Sequence, residues 1–183
     1  MVCDYVLTLE QLQRCACDGI ARRLEDVALG RKERGGGDHN QKYALLIDIT
    51  GCIGEMVLSL HLNVPYKGKG RFRGADVDER EQARCRMEGL GGHLWVDRDP
   101  KVDLDGARYW FVSSELPRFR VHGWMLGRDG RHFPLRTMEN GRICHWIPAH
   151  ALTQADVVRD RELIARERRV RELWRRFPLP SAA

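Results

Sequence analysis

The stretch Gly51–Val64, GCIGEMVLSLHLNV, and the stretch Arg73–Met87, RGADVDEREQARCRM, decide how the chain is read. The first belongs to a helix expected over Tyr43–Leu62, the most apolar segment of the sequence. Apolar residues almost encircle it, so burial on most sides is expected. Asp48, Gly51, Glu55 and Ser59 interrupt it at gaps of three, four and four residues, which places them on one stripe. Gly51, one turn before Glu55, leaves room for another backbone or a ligand. A carboxylate on a buried helix needs a partner: an arginine, a set of hydrogen bonds, or a metal.

The second stretch opens on an acidic turn centred on Asp76. Ala83, Cys85 and Met87 then alternate with Gln82, Arg84 and Arg86, the period of a half-buried strand. Gln82 and Arg84 therefore share a face, and Glu81 points to the other. Between the two stretches, Pro65–Gly74 (PYKGKGRFRG) interleaves Lys67, Lys69, Arg71 and Arg73 with glycine and aromatic residues. That composition suits a nucleic-acid backbone, as does Arg86 beyond it, and it also suits a solvated loop.

Outward from this centre, Thr8 with Gln11 forms a capping box for a helix that fades near Gly30. Leu9, Leu12, Ala16, Ile20, Leu24 and Val27 recur at helical spacing and are expected to form its buried face. ERGGGDHNQ reads as a flexible loop, since three glycines in a row make an ordered element costly. Gly91-Gly92 reads as a hairpin turn from the Gln82 strand into HLWVD. RYWFVS and FRVHGWML, separated by SELPR, read as an antiparallel pair, GRDGRHFPLRTMENGR as irregular, and CHWIP as a last short strand. Thr153 with Asp156 opens a C-terminal helix to about Arg176.

The 183 residues suit one domain over 1–183: an N-terminal helix (7–33), a core (43–152) and a basic C-terminal helix (153–177). The net charge is +5, and 157–177 alone hold eight arginines against four acidic residues, so a basic tail follows a nearly neutral body. The helix reads as a charged surface or as a docking element. No apolar run is expected to reach the ~20 residues that span a bilayer. Six cysteines show no CxxC pairing, and no export signal is seen, so a cytosolic protein with free thiols is expected. P-loop, Rossmann, HExxH and GxSxG motifs are all missing from the sequence.

Phosphodiester hydrolysis needs charge stabilisation at the phosphate and an activated water. Mg²⁺ supplies both when one or two carboxylates hold it and several waters remain. Glu55 in GCIGE, Asp76 in GADV and Gln82-Ala83-Arg84, in that order, resemble the PD-(D/E)XK nuclease superfamily, in the branch whose third motif carries Gln for the acid. The LTLEQL helix, the Leu-Asn-Val helix end, YWFV, FRVHGWMLG and WIPAHAL look similar to a phage-encoded group of that kind, over roughly residues 7 to 152. The resemblance implies an α/β, restriction-endonuclease-like core: a central mixed sheet flanked by helices.

It also implies a magnesium- or manganese-dependent deoxyribonuclease. Asp76 would be the central metal ligand, Gln82 and the Ala83 carbonyl further ligands, and Glu55 a direct or water-mediated one. Arg84 would replace the family's lysine. DNA is the implied partner, and a homodimer stands open. Two departures matter. Gln82 is neutral, which weakens metal affinity. Arg84, with a pKa above ~12, orients phosphate but cannot act as a base. The alternative is a nuclease-fold protein, weak or inactive in catalysis, that binds nucleic acid or a protein partner.

Overall fold

The computed structural model describes residues 2–30, 41–68, 76–77, 80–87, 92–138 and 141–154, with backbone only for 41–43. Lys69, Arg71, Arg73, the Gly35–Gly37 loop, Gly91 and the expected C-terminal helix beyond residue 154 lie outside that set.

The chain opens on β1 (Cys3–Val6), an element the sequence pattern did not signal. Helix α1 (Leu9–Ala28) starts at the expected capping box: Thr8 accepts from the Gln11 amide at 3.1 Å, and Gln11 Oε1 accepts from the Thr8 amide at 2.8 Å. Helix α2 spans Gln41–Leu62, followed by β2 (Glu81–Arg86), β3 (His93–Asp97), β4 (Arg108–Glu115) and β5 (Arg118–Leu126). A short α3 (Gly127–Gly130), β6 (Leu135–Thr137), β7 (Ile143–Pro148) and a 3-10 turn over Ala149–Ala151 follow, so the region expected to be irregular holds a helical turn and a strand.

The fold is mixed α and β, with two sheets among the described residues. One sheet has the order β1-β5-β4-β2, antiparallel except for the parallel β2–β4 pair. The other is antiparallel with the order β3-β7-β6. The expected hairpin between β2 and β3 is therefore not formed. Parallel partners need a crossover connection, often a helix. Here the connection from β2 to β4 carries β3 into the second sheet instead. The β4–β5 pair is antiparallel, as expected.

Two apolar clusters sit on the two faces of the first sheet. On one face Ala83, Trp110, Val112, Phe119 and Val121 pack against Cys52, Ile53, Met56, Val57 and Leu58 of α2, with Cys15 of α1 behind. On the other face Tyr109 and Phe111 pack against Leu94, Val96 and Ile147 of the second sheet. Among the described residues the long helices α1 and α2 thus lie on one face, and the three-stranded sheet lies on the other together with the short α3, whose Gly130 sits against Ile147 and Val96.

The helical layer corrects three sequence readings. In α1 the buried residues are Cys15, Gly19 and Asp26, whereas Leu9, Ile20, Leu24 and Val27 are exposed. The reason is proximity: a Cβ on Gly19 would sit 2.7 Å from the Ile49 backbone, so only a small residue fits the seam with α2. Gly51 meets nothing within 4 Å, and the close approach belongs to Gly54, whose Cβ would sit 2.6 Å from Cys85 Cβ. Contrary to the sequence reading, Ala44–Leu62 matches a membrane span in length and composition, with mean hydropathy 1.6. Half of that stretch is buried, and its two carboxylates face arginines of α1, as suits a core helix.

Candidate functional site

Helix α2 carries Glu55 into the layer between α1 and the first sheet. Its side chain is 8% exposed, and Arg22 of α1 grips it with two hydrogen bonds of 2.6 Å, Nη1 to Oε1 and Nη2 to Oε2. Arg22 Nη2 also donates to the Gly68 carbonyl at 3.0 Å, tying the start of the basic loop to the pair. The next residue of α1, Arg23, pairs with Asp48, two turns before Glu55 on α2, at 2.7 Å. The stripe of polar residues on α2 is thus met by consecutive arginines on α1. Burial raises the Glu55 pKa, Arg22 pulls it back, and Asp76 adds a push in the upward direction.

Asp76 sits against β2, the edge strand of the first sheet among the described residues. The Val77 amide donates to the Glu81 carbonyl at 3.1 Å, which folds the acidic turn back on the strand. The Ala83 amide then donates to Asp76 Oδ2 at 3.2 Å. About a third of the Asp76 side chain meets solvent (30%), far more than for Glu55. Burial raises its pKa, Arg84 and the Ala83 amide lower it, and Asp103 raises it.

The expected alternation of β2 holds. Ala83, Cys85 and Met87 pack toward α2. Arg84 lies on the other side, its guanidinium 4.9 Å from the centre of the Tyr109 ring. Gln82, which pairs in register with Tyr109, shares that face by the same alternation. Glu81 points the opposite way, accepts from Trp110 Nε1 at 2.5 Å and pairs with Arg108, so it is engaged in the core.

Arg84 gathers three oxygens. Its Nη2 donates to Asp103 Oδ1 at 2.7 Å, its Nη1 donates to its neighbour's carbonyl, Ala83 O, at 3.1 Å, and Nη1 stands 3.6 Å from Asp76 Oδ2. Burial opposes the Arg84 charge, and Asp103 and Asp76 outweigh it, so its pKa is raised. Asp103 is itself almost wholly buried and accepts the Asp97 amide at 2.8 Å.

The structure therefore brings Asp76, Ala83 and Arg84 together at the β2 edge. Glu55 sits in the helical layer, on the opposite side of the sheet from Gln82 and Arg84, while remaining close enough for the Asp76 charge to raise its pKa. Among the described residues no group of three or more His, Cys, Asp or Glu could hold a metal ion. What could approach a cation is the Asp76 carboxylate, which lies against the Ala83 backbone, with Gln82 the preceding residue of the strand. That donor set is poor in charge for Mg²⁺, which relies on carboxylates.

Sequence reasoning missed Arg22 and Asp103. Arg22 had a signal: it stands three residues from Gly19 and seven from Cys15, on the buried side of α1. Asp103 had none, being one of several aspartates in a turn-rich loop. Lys67 and Arg86, read as backbone contacts for nucleic acid, are described; Lys69, Arg71 and Arg73 are not. Arg86 lies over the Trp95 ring, 4.8 Å from its centre. No family model, curated protein or solved structure matches the chain.

Proposed function

We propose that the chain is a nucleic-acid-binding protein with a PD-(D/E)XK-like core and weak or no hydrolytic turnover. One observation carries this reading: guanidinium groups already hold two of the four expected metal-ligand positions. Arg22 takes both oxygens of Glu55, and Arg84 takes the Ala83 carbonyl. A divalent ion would have to displace a bidentate, buried ion pair to reach Glu55, which is costly. An arginine at a strand edge, with about a third of its side chain in solvent, is suited to a phosphate oxygen.

A second reading is the metal-dependent deoxyribonuclease. Asp76 favours it: its contact with Arg84 is long, at 3.6 Å, and its carboxyl is accessible. Under that reading Asp76 and the Gln82 oxygen would hold Mg²⁺ or Mn²⁺ with waters, and Glu55 would act through water. The metal would supply Lewis-acid activation of a water.

Incubation with duplex, branched and single-stranded DNA in Mg²⁺ and in Mn²⁺, beside Asp76→Ala, separates the two. Binding without cleavage supports the proposal. Cleavage that needs the metal and disappears in Asp76→Ala establishes the nuclease. Neither binding nor cleavage would leave a protein-interaction module built around the basic C-terminal segment.

A further inference from the structure

The outer face of the second sheet carries a feature that the Asp76–Arg84 edge does not use. Trp95 of β3 and Trp146 of β7 are direct cross-strand partners. Their rings stack with centroids 5.9 Å apart and planes 20° apart. The Arg86 guanidinium covers Trp95 at 4.8 Å, and the Arg136 guanidinium covers Trp146 at 4.5 Å. The His93 ring lies 5.0 Å from Trp146. Leu94, Val96 and Ile147 point the other way, into the core, so the two tryptophans are not core residues of the sheet.

The surface is cationic as well as aromatic. Burial lowers the His93 pKa first, and Arg136, Arg86 and His150 lower it further. The carboxylate two residues beyond Trp95 on β3, Asp97, is already paired with Arg142 at 2.7 Å and accepts the Asp99 amide. Each indole Nε1 is buried without a hydrogen-bond acceptor among the described residues. Among the described residues, stacking and cation–π contacts hold these rings.

We infer that Trp95 and Trp146, flanked by Arg86, Arg136, His93 and His150, form a binding surface for single-stranded nucleic acid. The chemistry requires both halves of the surface. Arginines meet the phosphates, and the indole faces take bases in the places the guanidinium groups now occupy. Bases paired inside a duplex cannot offer their faces in this way, so the surface selects unpaired strands. This inference rests on the nucleic-acid reading above and specifies the form of the ligand.

The test uses the full chain and fluorescein-labelled oligonucleotides of one sequence, single-stranded and as a duplex. The variants are Arg136→Gln and Trp146→Leu, with Trp146→Phe as a conservative control and Arg84→Gln for the other site. Circular dichroism confirms that each variant is folded.

Trp146→Leu should weaken single-strand binding by about tenfold or more, with a smaller effect on duplex. Trp146→Phe should recover most of the loss, and tryptophan fluorescence should be quenched on binding. Unchanged single-strand affinity in both Trp146→Leu and Arg136→Gln, with Arg84→Gln weakened, overturns this inference and leaves the nucleic-acid reading intact. Wild-type protein that binds neither DNA form overturns both. Binding to anionic lipid vesicles, lost in the tryptophan variant while single-strand binding is not, also overturns the inference.

Discussion

Arg22 and Glu55 form a two-pronged ion pair across the α1–α2 seam, with both contacts at 2.6 Å and both side chains nearly out of solvent. Removing one partner strands the other charge in the interior. Arg22→Met should therefore destabilise the fold by about 3–5 kcal/mol. Arg22→Met with Glu55→Met should cost much less than that single change, because no charge is left behind. Urea unfolding of the two variants and the wild type measures the difference. If the single variant were as stable as the wild type, the pair would hold nothing together.

The glycines of α2 make opposite predictions. Gly51 has open space around it, so Gly51→Ala should stabilise by up to about 1 kcal/mol through helix propensity. Gly54 would place its new methyl 2.6 Å from Cys85 Cβ, so Gly54→Ala should destabilise by about 1–3 kcal/mol. Thermal melts read the sign of each directly, and like signs would contradict the packing of α2 against β2.

His122 predicts an acid-sensitive step. Its Nε2 lies 2.7 Å from Ser113 Oγ, and its ring stacks on Phe111. Burial, then Arg120, push its pKa down to about 4, against an upward pull from Asp4. The unfolded chain, with an ordinary histidine near 6.5, binds the proton more readily across the window from about 6.5 to about 4. Stability from this group is full above that window and is lost as pH falls through it, by about 3 kcal/mol. Glu55 and Asp76 have raised values and act in the reverse direction. The His122 part is therefore the difference between wild type and His122→Gln in unfolding free energy at pH 7 and pH 4. No narrowing of that difference at pH 4 would refute the assignment.

Asp103 neutralises Arg84 from within the protein, at 2.7 Å. Asp103→Asn keeps an oxygen for the Asp97 amide but removes the competing charge. DNA affinity should rise a few-fold, and the salt dependence should steepen by up to about one phosphate's worth, a slope change of ~0.9. Titrations at several salt concentrations check this. An unchanged slope would mean that Arg84 does not reach the phosphate backbone.

Features set by near neighbours in the chain are legible in the sequence alone. The Thr8–Gln11 capping box depends on residues three apart, and it forms as expected. The β2 alternation depends on the strand's own pleat, so Gln82 and Arg84 share a face. The buried side of α1 is harder to read, because leucines at helical spacing resemble a core face. A seam with 2.7 Å clearance at Gly19 instead selects small residues, and Leu9 and Leu24 turn outward. The expected β2–β3 hairpin fails for a related reason. A glycine pair permits a turn, but the partner of an edge strand is chosen by packing across the whole sheet.

The sequence by itself determined where α1 begins, which face of β2 is apolar, and that a carboxylate on a buried helix required a partner. Those follow from backbone periodicity and the cost of burying charge, which act within a few residues of one another. The tertiary structure alone decided that the partner of Glu55 is Arg22, that Asp103 claims Arg84, and that Trp95 meets Trp146. Each of those pairs joins separate segments of the chain, and only the packed arrangement of both sheets and both long helices sets which side chains come within reach.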